Sequence, residues 1–239
     1  MRRRYLVVGI VLALAGFTLG ATKGPGPSIT KPSPTPSATK TPSPAPPPPG
    51  GWVGYVGCSN TGNTAAGYHL DGGHRLWGTT KTSFFDGGTV HRWAVGIDPS
   101  SSYAVFWDRL SSLLQAYPPA VIWWELCQRQ DEAGFDLDAD ARAVEAELER
   151  RAPGIPIDVS GLNGYVAPHV CQITGPDGPA NTWAAAEALE LPLGPYPGDL
   201  RSIYQTPSDP PGDQTVEDGC HPNAAGERLL GQALLAYFG

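Results

Sequence analysis

A serine, a histidine and an aspartate of this chain have the types and spacing that nucleophilic catalysis requires. Ser59 directly follows a short apolar segment, residues 52–57, at a point where a strand would turn into a helix. Asp218 precedes His221 by three residues, just before the last helical pattern, and this spacing lets its carboxylate reach the Nδ1–H of the ring. The pattern predicts that Asp218 orients His221 and that the ring Nε2 takes a proton from the Ser59 hydroxyl.

Because Ser59 and His221 lie far apart in the chain, the fold has to bring distant segments together. Apolar runs predict buried strands at residues 52–57, 120–126 and 155–161. The alternation of strands and helices predicts an α/β domain, in which a mostly parallel sheet has helices on both faces, a three-layer α/β/α sandwich. The predicted helices cover residues 102–117, 138–151 with Asp138 as N-cap, 181–189 and 223–238.

The carboxyl ends of the strands are where functional residues are expected, because parallel α/β sheets bind their ligands there. These ends fall at Cys58–Asn60, Glu125–Gln128 and Leu162–Asn163. In contrast, residues 68–95 are rich in glycine and weakly patterned, which predicts mostly loops.

Three segments of different composition divide the chain. Residues 1–21 begin with three arginines and continue as an apolar run, which is typical of a secretory signal or an N-terminal membrane anchor. Residues 22–51 are rich in Pro, Ser and Thr and predict a disordered linker. Residues 52–239 are long enough to form one domain with its own core. The organisation predicts a secreted domain, either free or held at the cell membrane through its N-terminal segment.

The charge of the predicted domain excludes one class of partner. Ten basic and 23 acidic residues lie in residues 52–239, which gives a net charge of −13, and Lys81 is the one lysine among them. A field of this sign repels phosphate backbones, so nucleic acid is not an expected partner.

The four cysteines of the domain are even in number, which in a secreted chain predicts two disulfides. Cys127 and Cys171 each follow a predicted strand, so we expect them to pair, which leaves Cys58 to pair with Cys220. Free buried thiols at Cys58 and Cys220 are the alternative, and either thiol would then be a candidate nucleophile. No C-x-x-C pair occurs, so no metal site is predicted.

The two ends of the domain resemble the SGNH (GDSL-like) hydrolase superfamily. The resemblance rests on the sequence GCSN at residues 57–60 and on DGCHPN at residues 218–223, followed by Gly226. It implies a flavodoxin-like SGNH hydrolase fold, with Ser59 as nucleophile, His221 as general base and Asp218 as its orienting acid. It also implies an oxyanion hole of three donors: the Ser59 backbone N–H, a glycine N–H and an asparagine side chain. No metal or organic cofactor is implied.

The sequence departs from the family at the asparagine, because no G-x-N-D motif occurs. Gln128 is the favoured replacement, while Glu125 and Asn163 remain alternatives. For the glycine donor, Gly88 is expected, with Gly87 and Gly96 as rivals. Loss of one oxyanion donor costs about 10²–10³ in rate.

Two functions follow from these observations. The first is a secreted, monomeric serine esterase, which hydrolyses an acyl ester of a small molecule or a glycan through an acyl-enzyme on Ser59. The second is a catalytically weak or inactive SGNH-type domain that binds carbohydrate or protein at the cell surface. The missing G-x-N-D motif is the observation that favours this alternative.

Overall fold

Apolar strands and the helices that follow them form the framework of this protein. The computed structural model describes residues 49–78, 88–166, 169–195, 202–203 and 219–239. The predicted signal or anchor, residues 1–21, lies outside the described residues, as does the predicted linker except for its last three residues.

The described elements alternate between strands and helices. In chain order they are β1 (Trp52–Val56), α1 (Ser59–Leu70), α2 (Val90–Val95), α3 (Ala104–Ala116), β2 (Pro119–Leu126), a 3-10 turn (Gln130–Glu132), α4 (Leu137–Arg151), β3 (Ile157–Gly161), β4 (Gly164–Tyr165), α5 (Gly178–Ala188), β5 (Ser202–Ile203) and α6 (Ala224–Phe238).

The main sheet is parallel, in the order β1-β2-β3. Two isolated parallel bridges extend it on both sides: Val53 pairs with Leu76 beside β1, and Val159 pairs with Leu193 beside β3. A separate pair of two-residue parallel strands joins β4 to β5. The α/β class and the parallel sheet are therefore confirmed. Among the described residues no helix has the length and apolar character needed to cross a membrane.

The helices form two packing groups. Helix α1 packs against α6, whereas α2 packs against α4, and α5 packs against both α4 and β3. Helices α1 and α6 approach each other very closely. A Cβ added at Gly67 of α1 would lie only 1.8 Å from the carbonyl oxygen of Glu227 in α6. A Cβ at Gly231 of α6 would likewise lie 2.2 Å from the carbonyl carbon of Gly67. Glycine at both positions lets the two backbones meet.

Two local predictions are wrong. The segment 68–95 was expected to be mostly loop, but α1 continues to Leu70 and α2 occupies Val90–Val95, with Thr89 as its N-cap. The N-cap of α4 is Asp136, whose side chain accepts a hydrogen bond from the Ala139 N–H, and not Asp138.

The disulfide pairing is also different from the prediction. Cys58 pairs with Cys127 and Cys171 pairs with Cys220, with Cα–Cα distances of 6.1 and 4.8 Å, and no cysteine is free. Cys58 and Cys127 meet because they follow β1 and β2, which are neighbours in the sheet. Two disulfides are typical of an extracellular or otherwise oxidising environment. The alternative of free thiols at Cys58 and Cys220, and with it a thiol nucleophile, is also wrong.

Candidate active site

Ser59 is held at the carboxyl edge of the sheet as the first residue of α1. Thr61 stabilises this turn, because its hydroxyl oxygen accepts a hydrogen bond from the Cys58 N–H at 2.9 Å and donates one to Glu125 Oε2 at 2.6 Å. The first N–H groups of a helix have no partner within the helix and lie at the positive end of its dipole. The Ser59 N–H is therefore suited to stabilise a negative charge that develops beside the Ser59 hydroxyl.

His221 approaches Ser59 from the segment that precedes α6. Its Nε2 lies 2.7 Å from Ser59 Oγ, which is hydrogen-bond distance between residues 162 positions apart. Two contacts restrain the preceding residue: Cys220 is bonded to Cys171, and its carbonyl oxygen accepts a hydrogen bond from the Tyr165 hydroxyl.

The end of this segment is fixed by α6. Asn223 is the N-cap of α6, and its side chain accepts hydrogen bonds from the N–H groups of Ala225 and Gly226. Asp218, the predicted orienter of His221, lies outside the described residues.

Ser59 and His221 line a cavity of about 130 Å³. All four cysteines line it as well, so that one disulfide lies beside each of the two residues. Gly88 and Gln128, two of the predicted oxyanion donors, also line the cavity. The sequence therefore predicted correctly that these segments meet at one edge of the sheet.

Gln128 is oriented by a second amide. Asn181 Nδ2 donates a hydrogen bond to Gln128 Oε1 at 3.1 Å, which leaves the Gln128 Nε2–H groups as donors toward a ligand. Gln128 is 6% exposed, so a hydrogen bond from its amide is shielded from water. Among the described residues, none accepts a hydrogen bond from the Gly88 N–H. Ser59, Gly88 and Gln128 all line the cavity, so their N–H groups remain the candidate oxyanion donors.

The alternative donors lie elsewhere. Asn163 is fully buried and does not line the cavity, and neither of its side-chain polar atoms has a hydrogen-bond partner among the described residues. Glu125 is fully buried below the start of α1, where Thr61 binds it. Gly96 is the C-cap of α2 and Gly87 lies outside the described residues.

Glu125 also belongs to the one cluster of possible metal ligands that the described residues contain, with Cys58 and Cys127. Both sulfurs are joined in a disulfide, so neither is a thiolate that binds a metal.

Three further residues of the cavity wall were given no role of their own from the sequence. Asn60 is 5% exposed, and its Oδ1 has no hydrogen-bond partner among the described residues. Arg92 and Arg129 place two guanidinium groups on the same wall. The signal that could have found Arg92 is its position four residues after Gly88, in a domain that has few basic residues.

Arg129 is engaged by a neighbouring carboxylate. Its Nε and Nη2 donate hydrogen bonds to the two carboxylate oxygens of Asp131, at 2.9 and 3.3 Å. This pairing raises the pKa of the Arg129 guanidinium and lowers the pKa of the Asp131 carboxyl.

No family model, curated protein or solved structure matches this chain. The chemistry of the cavity therefore has to be argued from its own residues.

The disulfide beside His221 gives a first testable prediction. Replacing Cys171 and Cys220 together with serine should lower the free energy of unfolding by about 3 kcal/mol, because an intact cross-link restricts the unfolded chain. It should also lower the rate of the ester hydrolysis that is proposed below about 10-fold at a temperature where the variant is folded, because the loop that carries His221 loses a restraint. Denaturant titrations and ester hydrolysis rates measure the two effects.

The control is Leu148→Ala, a fully buried position of α4 away from the cavity, which should cost about 2–5 kcal/mol without changing the rate. An equal loss of rate in both variants would mean that stability alone explains the effect.

Proposed function

We propose that this domain is a serine ester hydrolase of the SGNH type. The observation that carries the proposal is the 2.7 Å distance between Ser59 Oγ and His221 Nε2 inside a cavity. A serine and a histidine in hydrogen-bond contact, at the N-terminus of a helix, are the parts that acyl transfer requires.

In the proposed reaction the Ser59 hydroxyl attacks the acyl carbonyl carbon while His221 Nε2 takes its proton. The carbonyl oxygen becomes an oxyanion, which accepts hydrogen bonds from the Ser59 N–H, the Gly88 N–H and the Gln128 amide. When the oxyanion collapses, the ester C–O bond breaks and His221 gives the proton to the departing alcohol. Water, activated by His221, then hydrolyses the acyl-enzyme. Asp218 remains the proposed orienter of the ring.

The cavity supports a short acyl group. An apolar cavity of about 150 Å³ holds one benzene molecule with its six carbon atoms, so a cavity of about 130 Å³ holds roughly five non-hydrogen atoms. We therefore propose acyl chains of about five carbons or fewer as substrates.

The sheet supports the SGNH assignment. With the bridging segments of Leu76 and Leu193 included, the strand order follows the flavodoxin-like order 2-1-3-4-5. The two helix groups are compatible with a three-layer arrangement. The two disulfides support secretion, and attachment through residues 1–21 remains a proposal.

Gln128 provides a prediction on the oxyanion hole. Gln128→Leu should lower kcat about 100-fold with little change in KM, because the lost hydrogen bond is one that strengthens in the transition state. Initial rates with 4-nitrophenyl acetate measure both constants.

Gln130→Leu is the control, since that side chain does not line the catalytic cavity and should leave kcat within about twofold. A raised KM with unchanged kcat in Gln128→Leu would assign the amide to substrate binding and remove it from the oxyanion hole.

The proposal as a whole is tested by hydrolysis of 4-nitrophenyl acetate and butyrate, with Ser59→Ala measured beside the wild type. We expect activity in the wild type alone. Equal rates in the two proteins would remove the esterase proposal and favour the binding module.

A further inference from the structure

Arg92 has the geometry of a side chain prepared to bind an anion. Its Nε donates a hydrogen bond to Glu132 Oε1 at 2.9 Å, and the Glu132 side chain is 8% exposed, so the guanidinium is held from one side. The guanidinium carbon also lies 5.7 Å from the centre of the Tyr103 ring, within the range of a cation–π contact. No described residue forms a hydrogen bond with Nη1 or Nη2 of Arg92, and these are the groups that bind a carboxylate.

The position of Arg92 is close to the proposed chemistry. It lines the same cavity as Ser59 and His221. It also contacts the segment that supplies an oxyanion donor, because a Cβ added at Gly88 would lie 2.8 Å from the Cβ of Arg92. A substrate whose carbonyl oxygen faces Gly88 therefore has the Arg92 side chain beside it.

Arg129, the other arginine of the cavity, is already paired with a carboxylate. Both carboxylate oxygens of Asp131 already accept hydrogen bonds from its guanidinium. Arg92 is thus the arginine whose terminal nitrogens remain available among the residues that the structure describes.

The charge of the surroundings favours a ligand with one negative charge over a ligand with two. The predicted domain has a net charge of −13, which disfavours a phosphate with two charges. Glu132 already balances the charge of Arg92, so a ligand with one negative charge meets less repulsion than one with two, and a carboxylate can still accept two hydrogen bonds from Nη1 and Nη2.

We propose that the preferred substrates are esters that carry a carboxylate within reach of Arg92. This inference rests on the proposed esterase function and specifies its substrate class. Arg92 acts here on specificity: it binds the carboxylate of the substrate, while Ser59 and His221 perform the reaction.

Two substrate pairs test the proposal and distinguish the two halves of the ester. For the acyl half, mono-4-nitrophenyl glutarate is compared with 4-nitrophenyl valerate, in which a methyl group replaces the carboxylate. For the alcohol half, 4-acetoxybenzoate is compared with its methyl ester. We expect the wild type to prefer the carboxylate in at least one pair, and Arg92→Leu to reduce that preference in kcat/KM by about 10- to 100-fold. The rate on the neutral ester reports whether the variant is folded.

Two further variants separate charge from geometry. Arg92→Lys keeps the charge but loses the planar fork, and we expect it to recover only part of the preference. Arg142→Leu removes an exposed arginine outside the cavity and should leave the preference unchanged. A wild type with no preference in either pair, or an equal loss on neutral and charged esters in Arg92→Leu, would overturn the proposal.

A binding measurement keeps the two proposals separate. Calorimetric titration with glutarate should show binding to the wild type and at least about 10-fold weaker binding to Arg92→Leu. This result does not depend on turnover. Hydrolysis of neutral esters without glutarate binding would reject the carboxylate site alone, whereas glutarate binding without hydrolysis of any ester would reject the esterase.

Discussion

Replacing Ser59 with alanine should reduce the hydrolysis of 4-nitrophenyl acetate by at least about 10³-fold. The variant loses the atom that forms the acyl-enzyme, and only the oxyanion donors and substrate binding remain to accelerate attack by water. Rates corrected for spontaneous hydrolysis, at equal concentrations of folded protein, measure the effect.

The matched control is Ser112→Ala, an exposed serine of α3 whose hydroxyl donates to the Asp108 carbonyl oxygen. It should retain the wild-type rate. His221→Ala should resemble Ser59→Ala, and the double variant should lose no more than either single variant, because the two residues act as a unit. Additive losses would contradict a shared mechanism.

The second large effect concerns stability. Gly67→Ala should lower the free energy of unfolding by about 3 kcal/mol, because the added methyl group would lie 1.8 Å from the Glu227 carbonyl oxygen and force α1 away from α6. Alanine is favoured over glycine inside a helix by about 1 kcal/mol, so a loss of stability has to arise from this contact. Activity should fall as well, since α1 begins with Ser59 and α6 follows His221.

Gly134→Ala is the control for this substitution, because nothing lies within 4 Å of the added Cβ and the backbone there needs no left-handed conformation. Thermal unfolding of the two variants should differ by several degrees. Coincident unfolding curves would show that α1 and α6 tolerate separation.

The strands and the meeting of Ser59 with His221 were predictable from the sequence. Continuous apolar runs such as residues 120–126 have few alternatives to a buried strand, and the carboxyl ends of parallel strands lie at one edge. Trp123 and Trp124, in the middle of this run, are both fully buried. The membership of the SGNH superfamily remains a prediction.

Helix α1 was only partly predictable because its sequence, SNTGNTAAGYHL, lacks a regular apolar stripe. Its contact with α6 depends on the small size of Gly67 and on backbone proximity, which apolar periodicity does not report. The disulfide pairing was predicted wrongly for a related reason. Pairing depends on the distance between loops, and no sequence pattern reports how closely residue 171 approaches the segment before α6.

The contact between α1 and α6 has a consequence for folding kinetics. Ser59 and His221 are 162 residues apart, and contacts between distant segments form late because a long loop has to close first. The proposed catalytic pair is therefore complete only when α6, which follows His221, has docked on α1, which begins at Ser59. A partly folded chain would be unable to hydrolyse esters, so the recovery of activity during refolding reports the completion of the whole domain.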